Sequence, residues 1–143
     1  MKPSELPFCE VIRVRFSDTD SQGHLYFANY LVYADEAVCQ FMEELGYSAM
    51  NPQQAPCLIY MVNIQCDYLR ECQANEDVHC HVGYSRLGSS SADVVFELTN
   101  AQGEMLAKGQ MTQVFVNKET RKAAGIPSDL RAAIINQQPE LAD

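Results

Sequence analysis

The sequence has no tryptophan, no internal repeat and no low-complexity tract, and positive charge is scarce. Ten Lys and Arg stand against 19 Asp and Glu, a formal net charge of −9. A surface that acidic repels phosphate backbones and anionic lipid, which argues against nucleic acid and membrane surfaces as partners. An anionic ligand can then be held only where basic residues gather locally. Long apolar runs are missing too. None approaches the roughly 18 residues of a membrane span, and the opening MKPSELPFCEVIRVRF lacks the apolar stretch of a secretion signal. Seven glycines and six prolines are too few for a collagenous or disordered chain.

What is present is an ordinary globular composition of 143 residues, 47% hydrophobic and 20% charged. A chain of this length removes roughly 68–70% of its unfolded surface from water, enough for one core without metal or disulfide staples. A single domain over residues 1–143 is expected. The six cysteines (Cys9, Cys39, Cys57, Cys66, Cys72, Cys80) form no CxxC pair, and four fall in apolar or alternating runs where Cys packs as a small hydrophobe. Reduced structural thiols and a cytoplasmic location are expected. The tightest polar cluster is His79-Cys80-His81. On a strand the two histidines face one way and Cys80 the other, so the three cannot converge on one ion, and no metal site is expected.

Periodicity supplies the element order. Phe8 to Phe16 alternates, with Ile12, Val14 and Phe16 on one face and Arg13 and Arg15 on the other, and reads as a strand. A polar loop ends at Gly23. From Phe27 the period changes: Tyr30, Tyr33, Ala34, Ala37, Phe41 and Leu45 recur opposite Glu36, Gln40 and Glu43. That is an amphipathic helix of about five turns, with Gly46 as a natural stop. Four β-rich runs follow, Cys57 to Leu69, Val78 to Leu87, Ala92 to Thr99 and Met105 to Val116. Turn-like breaks at Gly88–Ser91 and Asn100–Gly103 make an antiparallel meander. A weaker helix is expected near Ser128 to Asn136, with Ser128 as its cap. The fold class is α+β: an antiparallel sheet of about five strands wrapped around one long helix. An open sheet edge would favour pairing with a second copy.

The chemistry-bearing segment is Ser17 to Tyr30, S-D-T-D-S-Q-G-H-L-Y-F-A-N-Y. Two carboxylates run directly into a helix start, whose unpaired N–H groups and positive dipole end suit an oxygen gaining negative charge. A carboxylate beside them can act as general base toward water or attack a carbonyl itself. Those are the two functions that ester or thioester hydrolysis requires. A carboxylate that merely caps the helix fits the same residues.

The run R-F-S-D-T-D-S-Q-G-H-L-Y-F-A-N-Y-L-V-Y, from Arg15 to Tyr33, resembles the hotdog-fold acyl-CoA thioesterases of the 4-hydroxybenzoyl-CoA thioesterase type. The shared core is D-x-D-x-x-G, a few apolar or aromatic residues, then N-Y at the opening of the long helix. The ending V-F-V-N-K-E-T-R-K-A-A-G-I-P looks like that family's last strand and its basic turn, so the resemblance covers about residues 8 to 131. It implies a thioester hydrolase acting on acyl-coenzyme A, with no separate cofactor because coenzyme A is part of the substrate. It also implies a homodimer, commonly stacked into a homotetramer, with sites shared between subunits.

Residue by residue, the resemblance puts the catalytic carboxylate on Asp20, three before Gly23, and makes Asp18 a structural member of the loop. The oxyanion donor becomes the backbone N–H of Phe27, with Gly23 shaping the turn. His24 has two readings, a hydrogen bond to Asp20 or the thioester, and a histidine that only anchors the loop. Tyr26, Tyr30 and Tyr33 are read as one helical stripe, packed in the core or, for Tyr26 and Tyr30, lining an acyl pocket. Asp35, at the edge of the helix's apolar arc, is expected to be partly buried and hydrogen-bonded; the family's Arg three residues later is Val38 here. Coenzyme A phosphates would be met by Arg86, Lys118, Arg121 and Lys122. Two alternatives stand beside hydrolysis: a hydroxyacyl-thioester hydratase or dehydratase of the same fold, and a non-catalytic acyl-CoA binding protein.

Overall fold

The sequence's longest amphipathic segment forms α1 (Phe27–Glu44), and the rest of the molecule is arranged around it. Tyr30, Tyr33, Ala34, Ala37, Val38, Phe41 and Met42 are its buried side chains. Its end follows the expected rule. Gly46 takes φ +91°, and the Tyr47 N–H returns to the Met42 carbonyl, closing the last turn. The computed structural model describes residues 4–48 and 50–142.

Five strands wrap α1: β1 (Phe8–Arg13), β2 (Leu58–Tyr68), β3 (Asp77–Leu87), β4 (Ser91–Thr99) and β5 (Met105–Val116). All pairings are antiparallel, in the order β1-β3-β4-β5-β2. The expected meander holds for β3, β4 and β5. β2 leaves the sequential order and pairs with β5 at the far edge, so α1 separates β1 and β2 in the chain and the sheet separates them in space. Alternation along β4 buries Ala92, Val94, Phe96 and Leu98 against the helix. On β3, Cys80 points into the core between the half-buried His79 and His81.

The end of the first strand and the start of the second helix differ from expectation. The first strand stops at Arg13 because Val14 bonds outside the ladder, donating to Glu76 and accepting from Asn75. The chain then makes a 3-10 turn over Phe16–Asp18 that turns Phe16 out to solvent, 87% exposed, instead of into the core. The second helix, α2 (Ser128–Gln137), begins with Ser128 inside it; Pro127 is the N-cap, with no side-chain cap. Leu130 and Ile134 bury its inner face. All six thiols are unpaired. Burial pushes Cys39 and Cys72 up to about 11, so both are protonated packing groups. Among the described residues no helix is long and apolar enough to cross a membrane.

Candidate active site

Between the 3-10 turn and α1 the chain folds back on itself. The Asp20 N–H donates to the His24 carbonyl at 2.8 Å, the Gly23 N–H donates to the Asp20 carbonyl at 3.0 Å, and Thr19 bridges Leu25. Gly23 sits at φ +82° with open space where a Cβ would be, so its requirement is conformational rather than steric. This turn fixes the Asp20 carboxylate. Its Oδ1 accepts from the N–H groups of Gln22 (2.9 Å) and His24 (3.3 Å), while Oδ2 has no partner among the described residues. One oxygen is anchored and the other is free to take a proton or attack carbon.

Asp18, two residues earlier, has the opposite environment. It is buried, its Oδ2 accepts from the Tyr33 hydroxyl at 2.6 Å, and the Arg15 guanidinium spans both oxygens. Those hydrogen bonds, Arg15 first and Tyr33 second, hold its carboxyl below the usual carboxylate range. Its backbone carbonyl accepts from the Tyr26 N–H at 3.0 Å and from Asn29 Nδ2 at 2.9 Å. Asp18 is therefore fully engaged at the helix entrance, whereas Asp20 keeps one carboxylate oxygen unengaged.

Phe27 is the first residue of α1, and its N–H meets no acceptor among the described residues. The helix start thus presents a free amide at the exit of the Asp20 turn, with the dipole's positive end behind it. Aromatic rings surround it. Tyr26 packs on Phe27 at 4.7 Å between centroids, and Tyr68, at the end of β2, meets Phe27 and Tyr30 edge-on at 6.4 and 5.1 Å. The expected tyrosine stripe is broken at its start: Tyr26 lies outside the helix as its N-cap and is 45% exposed. Tyr30 and Tyr33 are buried, with their hydroxyls on the Arg70 carbonyl and on Asp18. No local sequence pattern marks Tyr68, because periodicity does not show which strand end meets a helix forty residues earlier.

The His24 imidazole pairs with Glu71, not with Asp20, and only its backbone amide reaches Asp20. Asp35 departs from expectation on both counts: it is exposed, and it has no hydrogen-bond partner among the described residues. It lines a cavity of about 320 Å³ with Cys39, Met42, Tyr47, Met61 and Gln113. Partial desolvation, then Glu36, push its carboxyl above the usual range.

The basic residues lie elsewhere. Arg86 is engaged by Asp93 (2.8 and 3.4 Å) and Ser91 (3.0 Å). Arg121 donates at 2.8 Å to the neutral Tyr60 hydroxyl near the start of β2, in the turn that carries Lys118 and Lys122. Eight residue steps along β2 separate Tyr60 from Tyr68, about 25 Å. Within one chain the basic turn and the Asp20 turn are therefore at opposite ends of the strand.

A family model described as the thioesterase-like superfamily matches residues 14–134. A 1,4-dihydroxy-2-naphthoyl-CoA hydrolase of Synechococcus sp. (strain WH7803) is 28% identical over 141 residues, covering 90% of this chain and 92% of the relative. The crystal structure of a 1,4-dihydroxy-2-naphthoyl-CoA thioesterase from Synechocystis superposes with a TM-score of 0.84 at 21% identity, covering 90% of this chain and 96% of the other. That likeness identifies the sheet around α1 as the hotdog fold. A thioesterase from Thermus thermophilus, complexed with coenzyme A and Zn, gives a TM-score of 0.81 at 25% identity, covering 94% of this chain and 96% of the other.

Proposed function

The chain belongs to the thioesterase-like superfamily and is a thioester hydrolase, and we propose that its substrate is an acyl-coenzyme A with an aromatic acyl group. The observation that carries this reading is the pairing, at one helix entrance, of a free Phe27 amide with a carboxylate whose Oδ2 is unengaged. The thioester carbonyl oxygen accepts from the Phe27 N–H, which stabilises the charge that develops there; such donors contribute about 3–4 kcal/mol when pre-aimed. Asp20 either takes a proton from water as it adds to the carbonyl, or adds first and yields an anhydride that water opens. In both routes the C–S bond breaks, the acid forms, and coenzyme A leaves as its thiol. Two things support the aromatic acyl group: the exposed rings of Tyr26, Phe27 and Tyr68 beside the amide, and the naphthoyl substrate in the names of two similar proteins.

The same reading requires two copies. β2 is an edge strand that exposes Tyr60, Met61, Val62 and Ile64. Such an exposed apolar edge is a template for pairing with another strand. Antiparallel pairing of β2 with β2 of a second copy, along the whole strand, sets each Tyr68 end against the partner's Leu58 end. The partner's Arg121, Lys118 and Lys122 then stand beside the Asp20 turn, where the coenzyme's phosphates would lie. A homodimer, or a dimer of such dimers, is the proposed state, in a cytoplasmic setting that supplies acyl-coenzyme A.

Release of free thiol across benzoyl-, hydroxybenzoyl-, naphthoyl- and fatty acyl-CoA, read as relative kcat/KM, tests the proposal. Hydrolysis favouring the aryl members is expected; no thiol from any member would overturn it. The His24–Glu71 pair is the His–carboxylate arrangement that a hydratase needs, so crotonyl-CoA belongs in the panel. Hydration without thiol release would favour that second reading.

A further inference from the structure

We propose that Tyr68 is a positioning residue for the hydrolysis, holding the residue that carries the oxyanion-donating amide at its working geometry. This role rests on the thioesterase reading above and falls on a side chain outside the D-x-D-x-x-G and N-Y motif.

An amide polarises a carbonyl only when it is both free and fixed. The Phe27 N–H is free, and every polar group flanking it is tied. On one side the Tyr26 N–H donates to the Asp18 carbonyl (3.0 Å) and the Tyr26 carbonyl accepts from the Asn29 N–H (2.8 Å). On the other side the Phe27 carbonyl accepts from the Tyr68 hydroxyl at 2.9 Å. The first two contacts stay within the loop and the first helical turn. The third ties this residue to the sheet, 41 positions away in sequence.

The chain leaving β2 continues the same clamp. The Arg70 carbonyl accepts from the Tyr30 hydroxyl, Glu71 holds the His24 ring, and the Cys72 carbonyl accepts from the Leu25 N–H at 2.8 Å. Residues 68–73 thus run beside residues 24–30, and Tyr68 is the member that touches Phe27 itself.

Stability alone does not call for this hydroxyl. The Tyr68 ring packs edge-on against Phe27 and Tyr30 with or without its hydroxyl, so the O–H adds only the contact to the Phe27 carbonyl. Rate is more sensitive, because a misplacement of about 1 Å at a reacting centre can cost on the order of 10²-fold.

The experiment compares wild-type protein with Tyr68→Phe on benzoyl-CoA. The expected result is a kcat lower by about 10-fold, a KM within about two-fold, and an unchanged unfolding temperature and oligomeric mass. A second measurement uses benzoyl-CoA labelled with ¹³C at the carbonyl and bound to Asp20→Asn protein, where turnover is blocked. The labelled carbonyl stretch should lie at lower frequency with Tyr68 present than in the Asp20→Asn, Tyr68→Phe double variant. An unchanged kcat, or a carbonyl frequency indifferent to residue 68, overturns the role. So does a rise in KM alone, which would make Tyr68 a simple substrate contact, or a kcat loss matched by a large fall in unfolding temperature. Wild-type protein that releases no thiol from any acyl-CoA overturns the thioesterase reading, and this role with it.

Discussion

At its C-terminal end β2 touches the start of α1 through Tyr68; at its N-terminal end it touches the basic turn through Tyr60. The first end holds a carboxylate, a free amide and exposed aromatic rings. The second holds Arg121, Lys118 and Lys122, with Arg121 on a neutral phenol rather than an acid. One end suits the bond to be broken and the other suits phosphates. The separation of about 25 Å along one strand keeps them apart within a chain. On the proposed β2–β2 pairing, a substrate with an acyl thioester at one end and phosphates at the other would meet both ends at once, one from each chain.

The largest effect is expected from removing the carboxylate at the Tyr68 end. Asp20→Asn should keep the fold and lose about 10²–10⁴ of kcat, the range expected when a general base is removed. Asp18→Asn should be far milder in rate, because its oxygens are already taken by Arg15 and Tyr33. Steady-state thiol release on the two purified variants decides it, and equal residual activities would remove Asp20 from its role.

The next largest effect is expected from keeping the two ends apart. Light scattering should give two or four times 16.0 kDa. Ile64, exposed near the middle of β2, is the place to disturb the pairing. Ile64→Arg sets two like charges close together at a two-fold contact and should yield a monomer with turnover down by on the order of 100-fold, the cost of losing a positioned binding site. A fully active monomer would show that one chain holds the entire site.

Much of this was legible in the sequence because it is local. The five-turn helix and its Gly46 stop, the β3-β4-β5 meander, and the Asp20 turn with Phe27 at the helix start all depend on periodicity or motif spacing within a few residues. What depends on tertiary contact was not. Phe16 continues the strand's alternation yet faces solvent, because the ladder has already ended at Arg13. The crossing of β2 to the far edge, the Tyr68 contact with Phe27 and the Glu71 partner of His24 join positions tens of residues apart. Arg86 reads as a free cation until Asp93 is seen across the strand pair.

Arg121→Glu should raise KM for acyl-CoA by about 10-fold with kcat little changed, since remote binding common to ground and transition states is lost. Arg86→Glu should do less, because its charge is already matched by Asp93 and it also donates to the Ser91 hydroxyl. Added salt should shrink the difference between wild type and Arg121→Glu. Equal KM values for wild type and Arg121→Glu would place the phosphates elsewhere.

The smallest expected effect lies at the helix entrance, in the acid limb of stability. Asp18 has a folded pKa below its unfolded value of about 3.9, so the unfolded chain binds its proton more readily. Its contribution is complete above the unfolded pKa and is lost as pH falls through the folded one. Asp77 beside Arg13 and Asp93 beside Arg86 are shifted the same way, so all three weaken the protein below about pH 4. They differ in exposure. The Asp77 pair lies at the surface, where salt screens it, whereas Asp18 is buried against Tyr33 and screened less. Unfolding temperatures between pH 6 and pH 3 in high salt should therefore fall less steeply for Asp18→Asn than for wild type, while Asp77→Asn should follow the wild-type slope. Parallel slopes for all three proteins would mean that the Arg15–Asp18–Tyr33 network fixes geometry at the entrance without contributing to the acid dependence of the fold.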